Sequence, residues 1–551
     1  MAILDMFRRS TAPAAPKTSA PRAVTPQARY MGHDRTGVLS MRRAVTRDVK
    51  LDVREAANRS FGLAFDFLQN SGWISGAADQ IIADMIGAEL KLNAKPDLKG
   101  LGYEEKERAD WCRLVEKEWR RWSWTPWECD LEGKATVGEM LDGAARYYLA
   151  GGEALAVLDF MGRADRRRYG IQTGTKVRLV SPHRLTQHTS PMEGWDQGIY
   201  HDATGRPTHY RFRRASSGLD VDADIPARDG VLMRVLHVMD RGATPNSPRG
   251  ISPMAPAFRT IAQSDQLADA TLTTALLQTA FAATIQSPEP SEVAFQALQQ
   301  LHDLEENDPE QFEGASDLAG DLFTVWEQRL DALKSKALSI GGDASQVNHL
   351  GPGENLQLHG AVTPGPQYLP FQQNLLREMA RCLGVTFENL TMDHSNASYS
   401  STRMATASIW PITVRRRERI IAPLAQGIYE AWLDEAIGTG RIPIKGGYAA
   451  FAANRDKVVD SEWRGPPRPS ADPYKDALAN KLRLEQGSTT LQQICAEQGD
   501  DWEETVDQIA IEAARMRAAG ITPPFGRMSG GEGAGPQGAA AEGRREPSNG
   551  D

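Results

Sequence analysis

The sequence predicts an α+β chain, mainly α. Three observations carry this reading: apolar residues recur at helical spacing on both sides of a central stretch, the period within that stretch drops to two, and turn residues punctuate it. The composition is globular. Of 551 residues, 40% are hydrophobic and 25% charged, enough for about three or four structural units. No run is apolar enough for a membrane helix and Met1–Ser10 has no signal-peptide core, so a soluble chain made in the cytoplasm is expected. Cys112, Cys129, Cys382 and Cys495 lie far apart without a C-x-x-C pair, which favours four buried thiols over a zinc site or disulfide framework.

Charge divides the chain. Residues 1–50 hold ten Lys/Arg against Asp5, Asp34 and Asp48, so this arm is +7 within a chain of net charge −9. The arm and the Gly-rich tail at 521–551 are too poor in apolar residues to offset their ordering entropy, and both are expected to be largely disordered. From Val53 to Leu90, Phe61, Ala64, Phe65 and Leu68, then Ile74, Ala78, Ile81, Ile82 and Met85, mark two packed helices. A third helix over 104–124 leads into Trp111, Trp119, Trp122, Trp124 and Trp127, read as a packed core at a helix junction.

Strands are expected at Glu153–Phe160, Lys176–Val180, Gly198–His201, Thr208–Arg213 and Val231–Met239, with a hairpin across Asp202–Pro207. Ser252-Pro253 then reads as a helix start, with nothing to break the helix before Pro288. A second helix is bracketed at Gln367–Leu383 and stopped by Gly384. Val385–Ser400 has the composition of a polar loop. A long helical pattern follows from Ser398 to Ile437, bent at Pro411 and Pro423. Three shorter helices fill Pro473–Gly520, with capping-box spacing at Thr489/Gln492 and Asp501/Glu504.

The chemistry of common enzymes is missing from the sequence. There is no G-x-x-x-x-G-K-[ST] phosphate loop, no H-E-x-x-H and no G-x-S-x-G. His302, Asp303, Glu305 and Glu306 read as a solvated acidic face rather than metal ligands. No catalytic, cofactor-binding or metal-binding residue is assigned. The most informative feature is a gap: Thr260–Gln328, 69 consecutive residues, contains thirteen Asp/Glu and no Lys or Arg. A face that lies beside DNA without gripping it has reason to exclude cations, since each cation near a phosphate adds counterion-release affinity. A solvated acidic helix is the plainer alternative.

The order of residues resembles the lambda-like portal proteins of tailed bacteriophages. The resemblance runs from about Val53 to Gly520 and is most specific in Tyr368-Leu369-Pro370-Phe371, Leu376-Arg377-Glu378-Met379-Ala380-Arg381, Leu383-Gly384-Val385, Leu390, Asp393 and Tyr399-Ser400-Ser401-Thr402-Arg403. Pro370, Phe371, Gly384, Tyr399, Ser400, Ser401 and Arg403 are the signature positions; Thr402 stands where a small residue is usual. Supporting pieces are Gly152-Glu153-Ala154-Leu155, Pro182-His183-Arg184-Leu185, Gly205-Arg206-Pro207, Arg249-Gly250-Ile251-Ser252-Pro253, Gly351-Pro352-Gly353-Glu354, Asp472-Pro473 with Lys475, and Thr489-Thr490.

The resemblance implies a portal-type subunit with wing, stem, clip and crown regions, assembling as twelve copies into a ring at one capsid vertex. It implies a wing over 51–252, a first stem helix over 253–287, a clip over 288–366 and a second stem helix over 367–384. A channel loop over 385–400, wing and crown helices over 401–470 and a crown over 471–520 complete the chain. Asp265 and Asp269 would then lie near the channel wall. Asn389, Asp393, His394, Ser395, Asn396 and Tyr399 would belong to the channel loop. The implied partners are double-stranded DNA passing without sequence specificity, the large terminase subunit, the major capsid and scaffolding proteins and a head-tail connector protein, with no membrane and no cofactor. The implied place is the virion, after assembly in the bacterial host cytoplasm. A packaging enzyme, which would need a phosphate loop or clustered metal-binding carboxylates, and a non-viral helical adaptor are the competing readings.

Overall fold

The computed structural model describes residues 48–216, 219–242, 244–280, 283–286, 355–358, 365–470 and 472–524, with the single residues 300 and 324. Most of the basic arm, most of 288–366 with its His302–Glu306 group, and most of the Gly-rich tail lie outside the described residues.

The chain opens with α1 (Val49–Asn70), α2 (Gly72–Met85), strand β1 (Lys91–Ala94), α3 (Glu105–Ser123), the single turn α4 (Pro126–Cys129) and α5 (Val137–Gly151). Reciprocal capping boxes start α3 at Glu104/Glu107 and α5 at Thr136/Glu139, supplying partners for amides that have none inside the helix. Trp111, Trp119 and Trp122 are buried, whereas Trp124 and Trp127 are exposed. The packed-core reading therefore holds for three of the five tryptophans, because α3 stops at Ser123 and the chain turns outward at Thr125-Pro126. The ring of Trp119 stands at the centre of an aromatic group, 5.3–5.7 Å from Trp122, Trp432, Tyr429 and Trp463. Cys112, Cys129 and Cys495 are buried, but Cys382 is half-buried.

The β-rich stretch follows: β2 (Glu153–Phe160), α6 (Arg163–Tyr169), β3 (Thr175–Val180), β4 (Trp195–Asp196), β5 (Ile199–His201), β6 (Pro207–Ser216), β7 (Leu219–Pro226), β8 (Arg228–Asp229), β9 (Leu232–Met233) and β10 (Val235–Met239). It forms antiparallel sheets of order β10-β2-β3 and β4-β5-β6-β7, with β8 paired to β9. The hairpin turn is held by Asp202, whose carboxylate accepts from the amides of Thr204 and Arg206. Strand β7 was not expected. Its Asp220, Asp222 and Asp224 alternate with apolar residues, the pattern of a strand with one solvated face.

The sheet is joined to the helices by a buried ionic knot. Glu153 accepts from Arg249 Nε at 2.7 Å, from the Gly250 amide at 2.9 Å and sits 3.1 Å from His237 Nε2. Arg249 also donates to the Pro182 carbonyl at 2.9 Å. Burial would raise the Glu153 pKa, but Arg249 and His237 outweigh it and bring the carboxyl down to about 2. The knot needs two glycines: a Cβ on Gly152, at φ +74°, would lie 2.0 Å from the Ile251 carbonyl oxygen, and one on Gly250 would lie 2.5 Å from that of Gly152.

The helix after Pro253 differs from its expected span. A 3₁₀ turn occupies Ala255–Ala257 and α7 runs over Phe258–Ala280; β11 (Ala283–Gln286) then pairs with β12 (Asn355–Leu358). Ser252 does not cap α7, because its hydroxyl donates to the Leu149 carbonyl and accepts from the Met254 amide. Helix α8 spans Tyr368–Leu383 and ends on Gly384 in the left-handed region. The segment expected as a polar loop contains a helical turn, α9 (Phe387–Thr391), capped by Thr386, with Val385 and Leu390 buried. Outside α9, residues 385–386 and 392–398 are irregular.

A continuous helical rod follows, composed of α10 (Tyr399–Arg416), a π-helical turn (Arg417–Ile421) and α11 (Ala422–Gly438). It passes through Pro411 and widens just before Pro423, whose missing amide cannot close an α turn onto residue 419. Three successive arginines leave this rod in different directions. Arg415 pairs with Asp240 at 3.2 Å, and Arg416 Nη1 donates to the Leu383 carbonyl at 2.7 Å. Arg417 donates to the carbonyls of Met85 at 2.8 Å, and of Asp84 and Pro466 at 3.0 Å. The C-terminal ends of α8 and α2, where carbonyls lack partners, are thereby capped by two side chains of one turn. Helices α12 (Gly447–Ala453) and α13 (Arg455–Val458) lead to β13 (Ser461–Arg464), which pairs with β1. The chain ends in α14 (Pro473–Glu485), α15 (Leu491–Glu497) and α16 (Trp502–Ala518). The box that opens α15 is Thr490/Gln493, one residue beyond the expected pair, while Asp501 caps α16 as expected.

Arg417→Met should cost about 2–4 kcal/mol in denaturant unfolding, since it strands buried carbonyls of three residues. The exposed Arg419→Met should change stability by less than about 0.5 kcal/mol.

Candidate functional site

The feature that distinguishes this fold from a closed globule is a projecting pair of helices. Thr260, Ile261 and Ser264 of α7 are buried in the body, but no residue of α7 described beyond Ser264 is buried. Helix α8 mirrors this, with Leu375, Leu376, Met379, Ala380 and Leu383 buried and Tyr368–Asn374 outside the core. The free half of α7 and the free half of α8 thus form a two-helix stalk. Leu267, Gln367, Tyr368, Pro370, Phe371 and Asn374 line a shallow cleft between them. Leu272, Leu276, Leu369 and Phe371 on the stalk, with Met392 and Met404 beyond its base, are each more than half exposed. Apolar side chains of that size are left with hydrophobic area that the other described residues do not cover.

Asp265 and Asp269 are exposed one turn apart on α7 where it leaves the body, and neither has a cationic partner among the described residues. Partial burial and then the neighbouring Asp269 push the Asp265 carboxyl up. Of the residues expected in a loop, Asn389 lies in α9 with its amide on Thr386 Oγ1. Asp393 accepts from the Ser395 hydroxyl at 2.6 Å and amide at 3.0 Å, bonds that lower its pKa. His394, Ser395 and Asn396 are exposed. Tyr399 is the first residue of α10, and Ser400 follows it on the surface.

The signature residues divide by physical task. Pro370 and Phe371 sit at the stalk cleft. Gly384 lets Arg416 reach the end of α8, its absent Cβ leaving space 3.4 Å from the guanidinium. Ser401 closes a capping box with Ser398, and Arg403 lies 3.5 Å from Asp476 on α14. They are not gathered into one pocket. Sequence reasoning did not single out Arg415–Arg417, although three cations in a row within an otherwise partly apolar rod were the available signal.

The three C-terminal helices are attached differently from everything else. Ile494, Cys495 and Ala513 are their only buried apolar residues, and none belongs to the main core. A groove of about 1400 Å³, lined by Trp410, Glu418, Glu462, Arg468, Arg483 and Glu497 among others, separates them from the rod. Ion pairs span to the body instead: Lys91–Asp500 at 3.2 Å, Lys95–Asp501 at 3.5 Å, Arg464–Asp501 at 3.3 Å, Arg108–Glu503 at 3.5 Å, and Arg113 with Asp507. Between them lies Glu116 of α3, which accepts from the Ala94 amide. Burial, with Asp501 and Glu504 adding to it against Lys95, pushes this carboxyl up to about 7. Among the described residues no group of His, Cys, Asp and Glu could hold a metal ion, and no helix is long and apolar enough to cross a membrane.

A carboxyl whose folded pKa is raised loses stability as pH rises from its usual value of 4.5 through about 7. Thermal unfolding of the wild type is therefore expected to weaken across that window, by roughly 3 kcal/mol, as Glu116 ionises beside Asp501 and Glu504. Glu116→Gln should flatten the dependence; a wild-type slope retained in the variant would remove Glu116 as its cause.

The sequence model described as phage portal protein, lambda family, matches residues 36–417. Portal protein B of Escherichia phage lambda is 25% identical over 473 residues, 84% of this chain and 84% of that protein. The portal protein of Escherichia phage N15 is 25% identical over 480 residues, 85% of this chain and 86% of its own. Among solved structures, a chain from the neck of a native gene transfer agent particle, computed with C12 symmetry, has 12% identity and a TM-score of 0.42, covering 80% of this chain and 96% of that one. An HK97-family phage portal protein from Corynebacterium diphtheriae has 13% identity and a TM-score of 0.26 over 74% of this chain and 99% of its own.

Proposed function

The chain belongs to the lambda family of phage portal proteins, and from that membership we propose that twelve copies close into a ring at one capsid vertex, around a channel for DNA entering and leaving. The observation that carries the ring is the stalk. Leu272, Leu369 and Phe371 are exposed on a pair of helices that the other described residues do not cover, and the neighbour best suited to cover them is another copy. A heterologous contact repeated through a closing rotation makes a ring rather than a filament.

In this reading α7 and α8 are the stem helices, 288–366 the clip where the large terminase subunit docks, 51–252 the wing and 471–520 the crown. The major capsid and scaffolding proteins and a head-tail connector are the remaining partners, and assembly takes place in the host cytoplasm before the ring becomes part of the virion. The family is structural, and no catalytic step is assigned to any residue. The 392–398 segment, with Asp393, His394, Ser395 and Asn396, faces the channel. Short, mostly neutral side chains suit it to weak and exchangeable contacts.

Native mass spectrometry and electron microscopy of the purified protein test the ring directly. Closed dodecamers with an axial hole are expected, and a stable monomer or dimer at micromolar concentration would end the proposal. Asp265 and Asp269 are assigned to the channel wall. Changing both to lysine would add 24 cations to a dodecamer, two from each of twelve copies. DNA passage should slow in a low-salt packaging assay and recover with salt. Packaging unchanged at every salt concentration would place these two residues away from DNA.

A further inference from the structure

We propose that helix α6, Arg163–Tyr169, is a contact for the phosphate backbone of double-stranded DNA, on the β-rich part of the subunit and separate from the stalk. The proposal rests on reading the chain as a portal subunit that handles DNA. Within a chain of net charge −9, this seven-residue helix carries four arginines and one aspartate. A charge run of this kind is commonly no more than a solvated surface, and the way α6 is mounted argues otherwise.

Arg166 faces the body. It donates to the Gln172 carbonyl at 3.2 Å, lies 3.6 Å from Glu435 of α11 and covers the Phe160 ring at 5.4 Å. The same Glu435 accepts from the amides of Gly174 at 2.6 Å and Thr175 at 2.8 Å, while Glu128 accepts from those of Gln172 and Thr173, both at 2.9 Å. Met161 closes the hairpin by donating its amide to the Gly174 carbonyl at 2.7 Å. The helix is therefore fixed at both ends and through its middle to the core.

Arg163, Arg167 and Arg168 are left on the outside. All three are exposed, and none has a carboxylate partner among the described residues. Arg163 and Arg167, four positions apart, share a face of the helix. Arg168 lies over Tyr169 at 5.6 Å, and Tyr169 and Phe160 are each more than half exposed beside the arginines. A helix whose backbone is fixed holds the bases of these side chains in place, and arginine is weakly hydrated and matched to phosphate oxygens. The three cations have a polyanion as their natural complement, and duplex DNA presents one charge per about 1.7 Å of its axis. Such contacts position DNA and carry no sequence information.

The test measures binding of the full-length assembled protein to a fluorescent 30-base-pair duplex by anisotropy across a salt series, comparing wild type with the variant Arg163→Gln, Arg167→Gln, Arg168→Gln. Arg166 is left in place because it holds the mount. The basic arm is present in both proteins, so the difference isolates α6. The variant is expected to bind at least about tenfold more weakly at low salt, with the slope of log affinity against log salt reduced by about 2–3, near 0.9 per lost phosphate contact. Ring mass and shape should not change. Equal affinity and slope would overturn the proposal, as would loss of rings with DNA binding retained, which would make α6 a subunit contact. Competition by polyglutamate as strong as by unlabelled duplex at equal charge would assign α6 to an acidic protein and equally overturn it. Wild-type rings that bind no duplex refute the proposal alone, whereas a wild type that forms no rings refutes the portal reading on which it rests.

Discussion

Everything in the body of this subunit converges on one turn of helix, where Arg416 and Arg417 cap the carbonyl ends of α8 and α2. The two helices belong to distant parts of the chain. Helix α2 is in the first packed layer, and α8 supplies half of the stalk. A helix end buried without donors costs the desolvation of its last carbonyls. Arginine answers this cost well, because one planar fork offers several donors in fixed directions. The π turn matters for the same reason: one extra residue in the turn shifts the direction of successive side chains, and Pro423 accounts for its position. The stalk is therefore anchored at its base by a charged hydrogen bond to the rod and by the burial of Leu375, Leu376, Met379 and Leu383.

Two kinds of attachment coexist in the molecule. Between α1 and β13 most helices share an apolar core around Trp119, Tyr429 and Trp432, and the β-rich stretch has a second one around Leu155, Tyr210 and Phe212; loss of a large side chain from either leaves a cavity. Helices α14–α16 contribute almost nothing to that core and are joined through Lys91, Lys95, Arg108, Arg113 and Arg464. Of these pairs Lys91–Asp500 and Arg113–Asp507 are exposed and screened by salt, whereas Lys95–Asp501 and Arg464–Asp501 are largely buried. The C-terminal helices are thus held to the body at a few charged points, whereas the body itself is held by packed aromatic contacts.

The legibility of the sequence followed the physics of each signal. Helix α8 was readable to within one residue because its stop, Gly384, is a backbone requirement that acts locally. The start of α7 was misplaced because the hydroxyl of Ser252 is claimed by Leu149, about a hundred residues away, and no local pattern records that. Trp124 and Trp127 looked like core by composition and are exposed by geometry. The segment after Gly384 has the composition of a polar loop because its serines and asparagines outnumber Val385 and Leu390, the two residues of it that are buried. Glu153, Arg249, Arg416 and Arg417 were the least readable as a group, since a charged residue in a sequence looks like surface until its partner is known. Two of them, Glu153 and Arg249, did fall within family-like pieces, and the buried knot supplies the reason those pieces occur together.

The distribution of charge joins the stalk to α6. On α7 the described residues beyond Arg259 include Asp265 and Asp269 and not one cation, while α6 concentrates arginines on a fixed mount. If both surfaces met DNA, they would act on it in opposite senses. Along a path that DNA must travel, each fixed cation deepens a local well, and a ring multiplies the well by the number of subunits. An acidic wall keeps that path shallow. Away from the path adhesion does no such harm, and a rigid arginine helix can hold DNA in place. One polyanion would then have two surfaces on the same subunit, one suited to release it and the other to retain it, and their separation in the fold would keep the two requirements from conflicting.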